Sequence, residues 1–157
     1  MTLSATDEGA LALEEIPAFL FHLLRDVPGK ASAEDPRVKR RFYPDPGQDE
    51  LLVEDWKSLI QPELQELFQS AREIVQTDLL TATEESDVFA MEIPKTHMDA
   101  WLNALNQARL AIAAENHFEE KDMAEDLAPD PSDARSLALF EISFYGFLQE
   151  CLVKMQD

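Results

Sequence analysis

Apolar side chains recur every three to four residues along most of this chain, and that spacing restricts the folds open to it. Ile16, Phe19, Leu20, Leu23, Leu24 and Val27 fall at i, i+3, i+4, i+7, i+8 and i+11. This is the stripe with which an amphipathic helix buries one face. Leu52, Trp56, Leu59 and Ile60 repeat it, then Leu64, Leu67, Phe68, Ala71, Ile74, Val75 and Leu79. Met98, Trp101, Leu102, Leu105, Ala108 and Ile112 mark a further helix. Leu137, Phe140, Phe144, Phe147, Leu148, Cys151, Leu152 and Met155 mark the last. That last segment is apolar nearly all round in its first half, which predicts the most buried helix. The expectation is an all-α, single-domain bundle of about five helices over residues 11–157, preceded by a flexible N-terminus at residues 1–10.

The interruptions fall where proline and glycine cluster. Pro28-Gly29 is expected to stop the first helix. Residues 28–49 hold Pro28, Pro36, Pro44, Pro46, Gly29 and Gly47 and predict one long connection. A loop of that length in a compact domain is functional or pinned by its own packing. Pro62 kinks the second helical region or starts the next helix. TATEESD reads as a loop. VFAMEI, residues 88–93, alternates like an extended segment, but a strand alone has no ladder partner. Thr96 with Asp99 resembles a capping box, and Asp130 or Ser132 is placed to cap the last helix. The acidic stretch ENHFEEKDMAEDLAPDP reads as a loop or weak helix.

Charge narrows the function. Asp and Glu number 32 against 13 Lys and Arg, a net charge of −19. Such a surface repels nucleic acid and anionic membranes and favours a basic or apolar partner. Cys151 is the one cysteine, so no internal disulfide forms, which suits a reducing compartment. The N-terminus lacks a cationic segment followed by an apolar run, as a signal peptide requires. No stretch reaches the ~20 apolar residues of a membrane span. A cytoplasmic protein is expected. Each fully buried Leu or Phe contributes roughly 1.5–3 kcal/mol, so the core needs no cofactor or metal to hold it.

Candidate sites are few. Arg37, Lys39, Arg40 and Arg41 form a basic run, followed by Phe42 and Tyr43 as aromatic anchors for a protein partner. The competing reading is local pairing with Glu34, Asp35, Asp45, Asp49 and Glu50, which contributes about 0–1 kcal/mol per exposed pair. Nucleic-acid modules show a wider basic face. Arg109, with Asn106, Asn103 and Gln107 around it, reads as a buried polar anchor or a ligand-holding arginine. His22, His97 and His117 are too scattered for a metal site, and no Glu-x-x-His occurs. Neither a Gly-rich phosphate loop nor a nucleophile elbow is present. Cys151 and the two tryptophans read as core. No catalytic set assembles from these residues.

The segments "RRFYPDPGQDELLVEDWKSLIQPEL", "AWLNALNQARLAI" and "FYGFLQECLVKM" occur in an order and spacing that resembles one uncharacterised bacterial family, all-helical and best populated in actinobacteria. The likeness spans most of residues 13–155. It implies a helical domain and little chemistry. Some actinobacterial relatives are labelled transcriptional regulators, and some are encoded beside the adaptor of the caseinolytic protease. This chain departs in its shorter, more acidic beginning.

Three functions follow in order. The first is a non-enzymatic protein-interaction or adaptor-like module that contacts a protein partner through the long loop and an exposed helix face. The second is a transcription-associated regulator, though no helix pair offers a basic recognition helix. The third is a small-molecule or enzymatic pocket around Arg109. The apolar last helix suits a dimer interface as well as a core.

Overall fold

The structure is a computed structural model, and it describes residues 1–32, 37–39, 47, 49–123 and 132–156. Along the described residues two strand pairs are each followed by a run of helices, so the all-α expectation is corrected to a mixed fold. The strands are β1 (Thr2–Ala5), β2 (Leu11–Pro17), β3 (Thr83–Glu85) and β4 (Val88–Ile93). They form one antiparallel sheet in the order β1-β2-β4-β3.

The start expected as a flexible end is the edge strand β1, with Thr2 opposite Glu14 and Ala5 opposite Leu11. Its turn is local chemistry. Thr6 Oγ1 accepts from Ala10 N at 3.0 Å, the Thr6 carbonyl accepts from Gly9 N at 3.0 Å, and Gly9 has φ +83°. Glycine supplies this left-handed residue at no steric cost.

The helical stripe expected to begin at Ile16 starts instead at Ala18, and Ile16 belongs to the bulged strand β2. Leu13 pairs with Met91 and Ile16 with Phe89, with a register shift between them. Two residues apart on β4, Met91 and Phe89 share one face, so Leu13 and Ile16 share a face as well. The bulge inserts a residue, with Glu15 at φ +52°, and turns a period of two into a spacing of three. Three is what a helix shows, and both side chains are fully buried.

The TATEESD loop is likewise corrected: Thr83–Glu85 is a strand. Ser86 and Asp87 both have positive φ, which closes β3 onto β4 through a two-residue turn. The extended segment at 88–93 thereby gains ladder partners on both sides.

The helices are α1 (Ala18–Ala31), α2 (Glu50–Asp55), α3 (Gln61–Leu80), α4 (Met98–Glu115), α5 (Glu120–Met123) and α6 (Ala134–Met155). Pro28 lies inside α1 instead of ending it, and Ser32 Oγ donates to the Gly29 carbonyl at 2.9 Å at the helix end. Between α2 and α3 the chain makes a π-helical turn, Trp56–Ile60. Pro62 follows directly, and its missing N–H fits a place where the ordinary ladder has already shifted. Asp49 caps α2 through Leu51 N (3.0 Å), and Asp133 caps α6 through Arg135 N (3.1 Å). Thr96 sits in a 3₁₀ turn, Lys95–His97, ahead of α4.

The core lies between one sheet face and the helices. Leu11, Leu13, Ile16, Met91 and Ile93 from the sheet meet Leu24, Val27, Met98, Trp101, Leu105, Ile112, Ile142, Tyr145 and Leu148. The most buried helix is α4, with 10 of its 18 residues buried against 8 of 22 in α6. By length and composition α6 could cross a membrane (mean hydropathy 1.3 over its most apolar window). In this fold, however, it buries Leu139, Ile142, Tyr145, Leu148 and Leu152 in the core.

Candidate functional site

Two surfaces stand out, and both involve α3. The first is an arm. Residues 50–60 bury nothing, and the buried residues of α3 begin only at Phe68. Leu51 (74% exposed) and Leu59 (64%) lead a set that includes Leu52, Ile60 and Leu67. From Glu50 to Leu80 the chain runs helically for roughly 45 Å at 1.5 Å per residue. The charges on the exposed half are Glu50, Glu54, Asp55, Glu63 and Glu66 against Lys57. The arm is therefore apolar and acidic at once.

The second surface is a groove of about 710 Å³ where α1, the far half of α3 and the β3–β4 hairpin meet. Phe21 of α1 stacks on Phe89 of β4 at 4.1 Å with planes 9° apart. The Arg25 guanidinium lies 5.0 Å from the Phe21 ring centre and 5.9 Å from that of Phe89. Arg72 lines the opposite, α3 side.

The predicted basic run is divided. Arg37 and Lys39 are exposed on a helical piece, residues 37–39, whose Val38 is fully buried against Phe68, Ala111 and Ala114. Val38 thus pins the long connection. Arg37 Nη1 lies 2.9 Å from His117 Nε2. Arg40, Arg41, Phe42 and Tyr43 lie outside the described residues.

Arg109 is half-buried on α4, where Nη1 donates to Gln149 Oε1 at 2.8 Å. Its Nε is buried without an acceptor among the described residues, and burial lowers its pKa from the ordinary value. Gly146 leaves room for it, since a Cβ there would stand 3.3 Å from Cζ. Asn106 is exposed and shares no hydrogen bond with Arg109 among the described residues.

Two polar clusters escaped the sequence. Asp78, at the end of α3, is buried and accepts from Trp101 Nε1 (2.9 Å), while His97 Nδ1 lies 2.9 Å from each of its oxygens. It ties α3 to the start of α4, as a buried carboxylate must be satisfied by its neighbours. On α6, Tyr145 Oη lies 2.5 Å from the Leu23 carbonyl and 2.6 Å from Glu141 Oε1. Desolvation pushes the Glu141 carboxyl up, and the phenol is held far above its usual range, also by burial first. Cys151 is free and partly buried, and burial raises its thiol. Among the described residues no three His, Cys, Asp or Glu converge as a metal site would need.

The groove was not legible because Arg25 and Arg72 lie on helices far apart in sequence. The nearest signal was Arg25 four residues after Phe21, one helical turn along the same face. No curated protein and no solved structure matches the chain. A family match does: residues 2–156 fit the model described as domain of unknown function (DUF2017), so the chain belongs to that family.

Proposed function

We propose that the chain is a non-enzymatic interaction module whose arm, residues 50–67, docks a basic amphipathic helix of a protein partner. The observation that supports it most is the set of large apolar side chains at Leu51, Leu52, Leu59, Ile60 and Leu67, exposed together on a helical arm. Contiguous exposed apolar surface of this kind marks interaction sites, and a helical face lends itself to helix-on-helix recognition. The acids between the leucines select the partner. A second copy would bring the same carboxylates face to face, whereas Lys or Arg beside apolar residues would complement both features. The same acids repel a phosphate backbone and weigh against the transcription-associated reading. A cytoplasmic setting remains part of this proposal, supported by the single unpaired cysteine.

The arm carries its own reporter. Trp56 lies on it and is partly exposed, while Trp101 is fully buried. A synthetic helix of leucine and lysine is expected to shift Trp56 emission to the blue and to saturate, and a leucine–glutamate helix is expected to do nothing. Replacing Leu52 and Leu59 with Gln should abolish the response. An unchanged response in that variant would reject the arm as the contact. A blue shift with rising protein concentration and no peptide would make a second copy the occupant and reject the proposed partner.

A further inference from the structure

We infer that the groove between α1, α3 and the β3–β4 hairpin is a binding site for a monocarboxylate with an apolar body. This goes beyond the arm and does not depend on it. Its volume, about 710 Å³, falls inside the range of roughly 300–1,000 Å³ typical of ligand sites. The walls divide the ligand into two parts. Phe21, Phe89, Leu79 and Ala82 form an apolar side, in which the partly exposed Phe89 is backed by the buried Phe21. Arg25 and Arg72 form the charged side.

Neither arginine has a hydrogen-bond acceptor or a carboxylate within ion-pair distance among the described residues, in a chain with 32 acids. Glu73 and Glu84 line the same groove yet pair with neither, and Glu73 Oε1 instead accepts from Gln69 Nε2 at 3.1 Å. A guanidinium presents planar N–H donors that match a carboxylate two at a time. Arg25 is positioned against the aromatic pair, as cation–π contact favours. Its donors therefore stand beside the apolar wall, where a ligand with both a carboxylate and a hydrocarbon part would meet both.

Two arginines against two glutamates leave the lining formally neutral, so recognition rests on paired guanidinium donors and apolar contact and not on net attraction for anions. The surrounding net charge of −19 disfavours a phosphate dianion more than a monocarboxylate.

A free small acid and the C-terminal carboxylate of a peptide share this chemistry, and one experiment separates them. Amide chemical shifts of the ¹⁵N-labelled chain are followed during titration with 4-phenylbutyrate, with a short peptide ending in free phenylalanine, with its amidated form, and with inorganic phosphate. Saturable shifts at Gly29, Ala82 and Glu84 are expected with a carboxylate probe and are expected to be absent with the amide and with phosphate. Response to phenylbutyrate alone assigns a small-molecule site, and response to the free-ended peptide assigns a peptide-terminus site. The double variant Arg25→Gln, Arg72→Gln should weaken the response at least tenfold while its spectrum stays folded. Saturable binding that persists in the double variant, or no saturable shift at those amides with either carboxylate in the parent, would overturn the inference.

Discussion

The arm at residues 50–67 and the terminal helix α6 show the same apolar rhythm and meet opposite fates. Leu52, Trp56, Leu59 and Ile60 recur as regularly as Leu139, Ile142, Tyr145, Leu148 and Leu152. The second set is buried in the core; in the first, Trp56 is only partly covered and the leucines and Ile60 face solvent. Periodicity states that one face of a helix is apolar and does not state what covers it. The difference lies in the neighbours. α6 runs back across α4 and reaches α1 through the Tyr145–Leu23 bond. The arm lies beyond Phe68, and Leu64 is its contact with the small cluster around Val38 and Ala111.

The sharpest way to break this comparison is to truncate one leucine in each region. Leu148 is fully buried, so Leu148→Ala removes transfer energy and leaves a cavity. The expected loss is about 2–5 kcal/mol, read from chemical denaturation. A loss no larger than that of an arm leucine would mean that α6 is less well packed than its burial implies.

A smaller effect tests the polar side of α6. Tyr145 has one hydroxyl hydrogen and two close acceptors, so both contacts are hydrogen bonds only when Glu141 brings a proton of its own. Burial raises the Glu141 carboxyl above its ordinary 4.5, with the Tyr145 bond acting in the opposite direction. A raised folded value means that the native chain binds more protons than the unfolded one, so this group's stabilisation is complete below about pH 4.5 and is lost as pH rises through the folded value. Glu141→Gln keeps a donor for Tyr145 and removes the titration. Its melting temperature relative to the parent should therefore climb from pH 4 to pH 8. A difference that stays flat across that range would show that Glu141 titrates normally.

The same contrast explains what could be read from the sequence. α4 is legible almost residue for residue, because Trp101, Leu105, Ala108 and Ile112 are core on one regular helix. α6 is legible as an element, and Phe144, Leu148 and Leu152 of its expected stripe are buried, but Phe147, expected inside, is 46% exposed, because the helix is apolar on more than the face it buries. β2 was lost to its bulge. β4 is legible as an extended segment, but its partner β3 is not, because the turn between them is Ser86-Asp87 and lacks the glycine that announces such turns. The groove needed Arg25, Arg72 and Phe89 in one place, and only the sheet's order brings the hairpin to α1 and α3. Arg109 is legible as a polar group close to the apolar stripe of its helix, but its acceptor, Gln149 on α6, is not.

The smallest expected effect separates the two regions most cleanly. Leu59→Gln changes a side chain that is 64% exposed in the folded chain. Gln and Leu have similar helix propensity, so the backbone is indifferent to the exchange. Little apolar area is returned to water, and the expected change in stability lies within about 0.5 kcal/mol of zero. The same substitution should nonetheless weaken the response of Trp56 to the leucine–lysine helix. Stability retained with binding lost is the pattern of a surface kept apolar for a partner. A loss approaching that of Leu148→Ala would instead show Leu59 to be core in solution, folded against the rest of the chain, and the arm would cease to be a distinct surface.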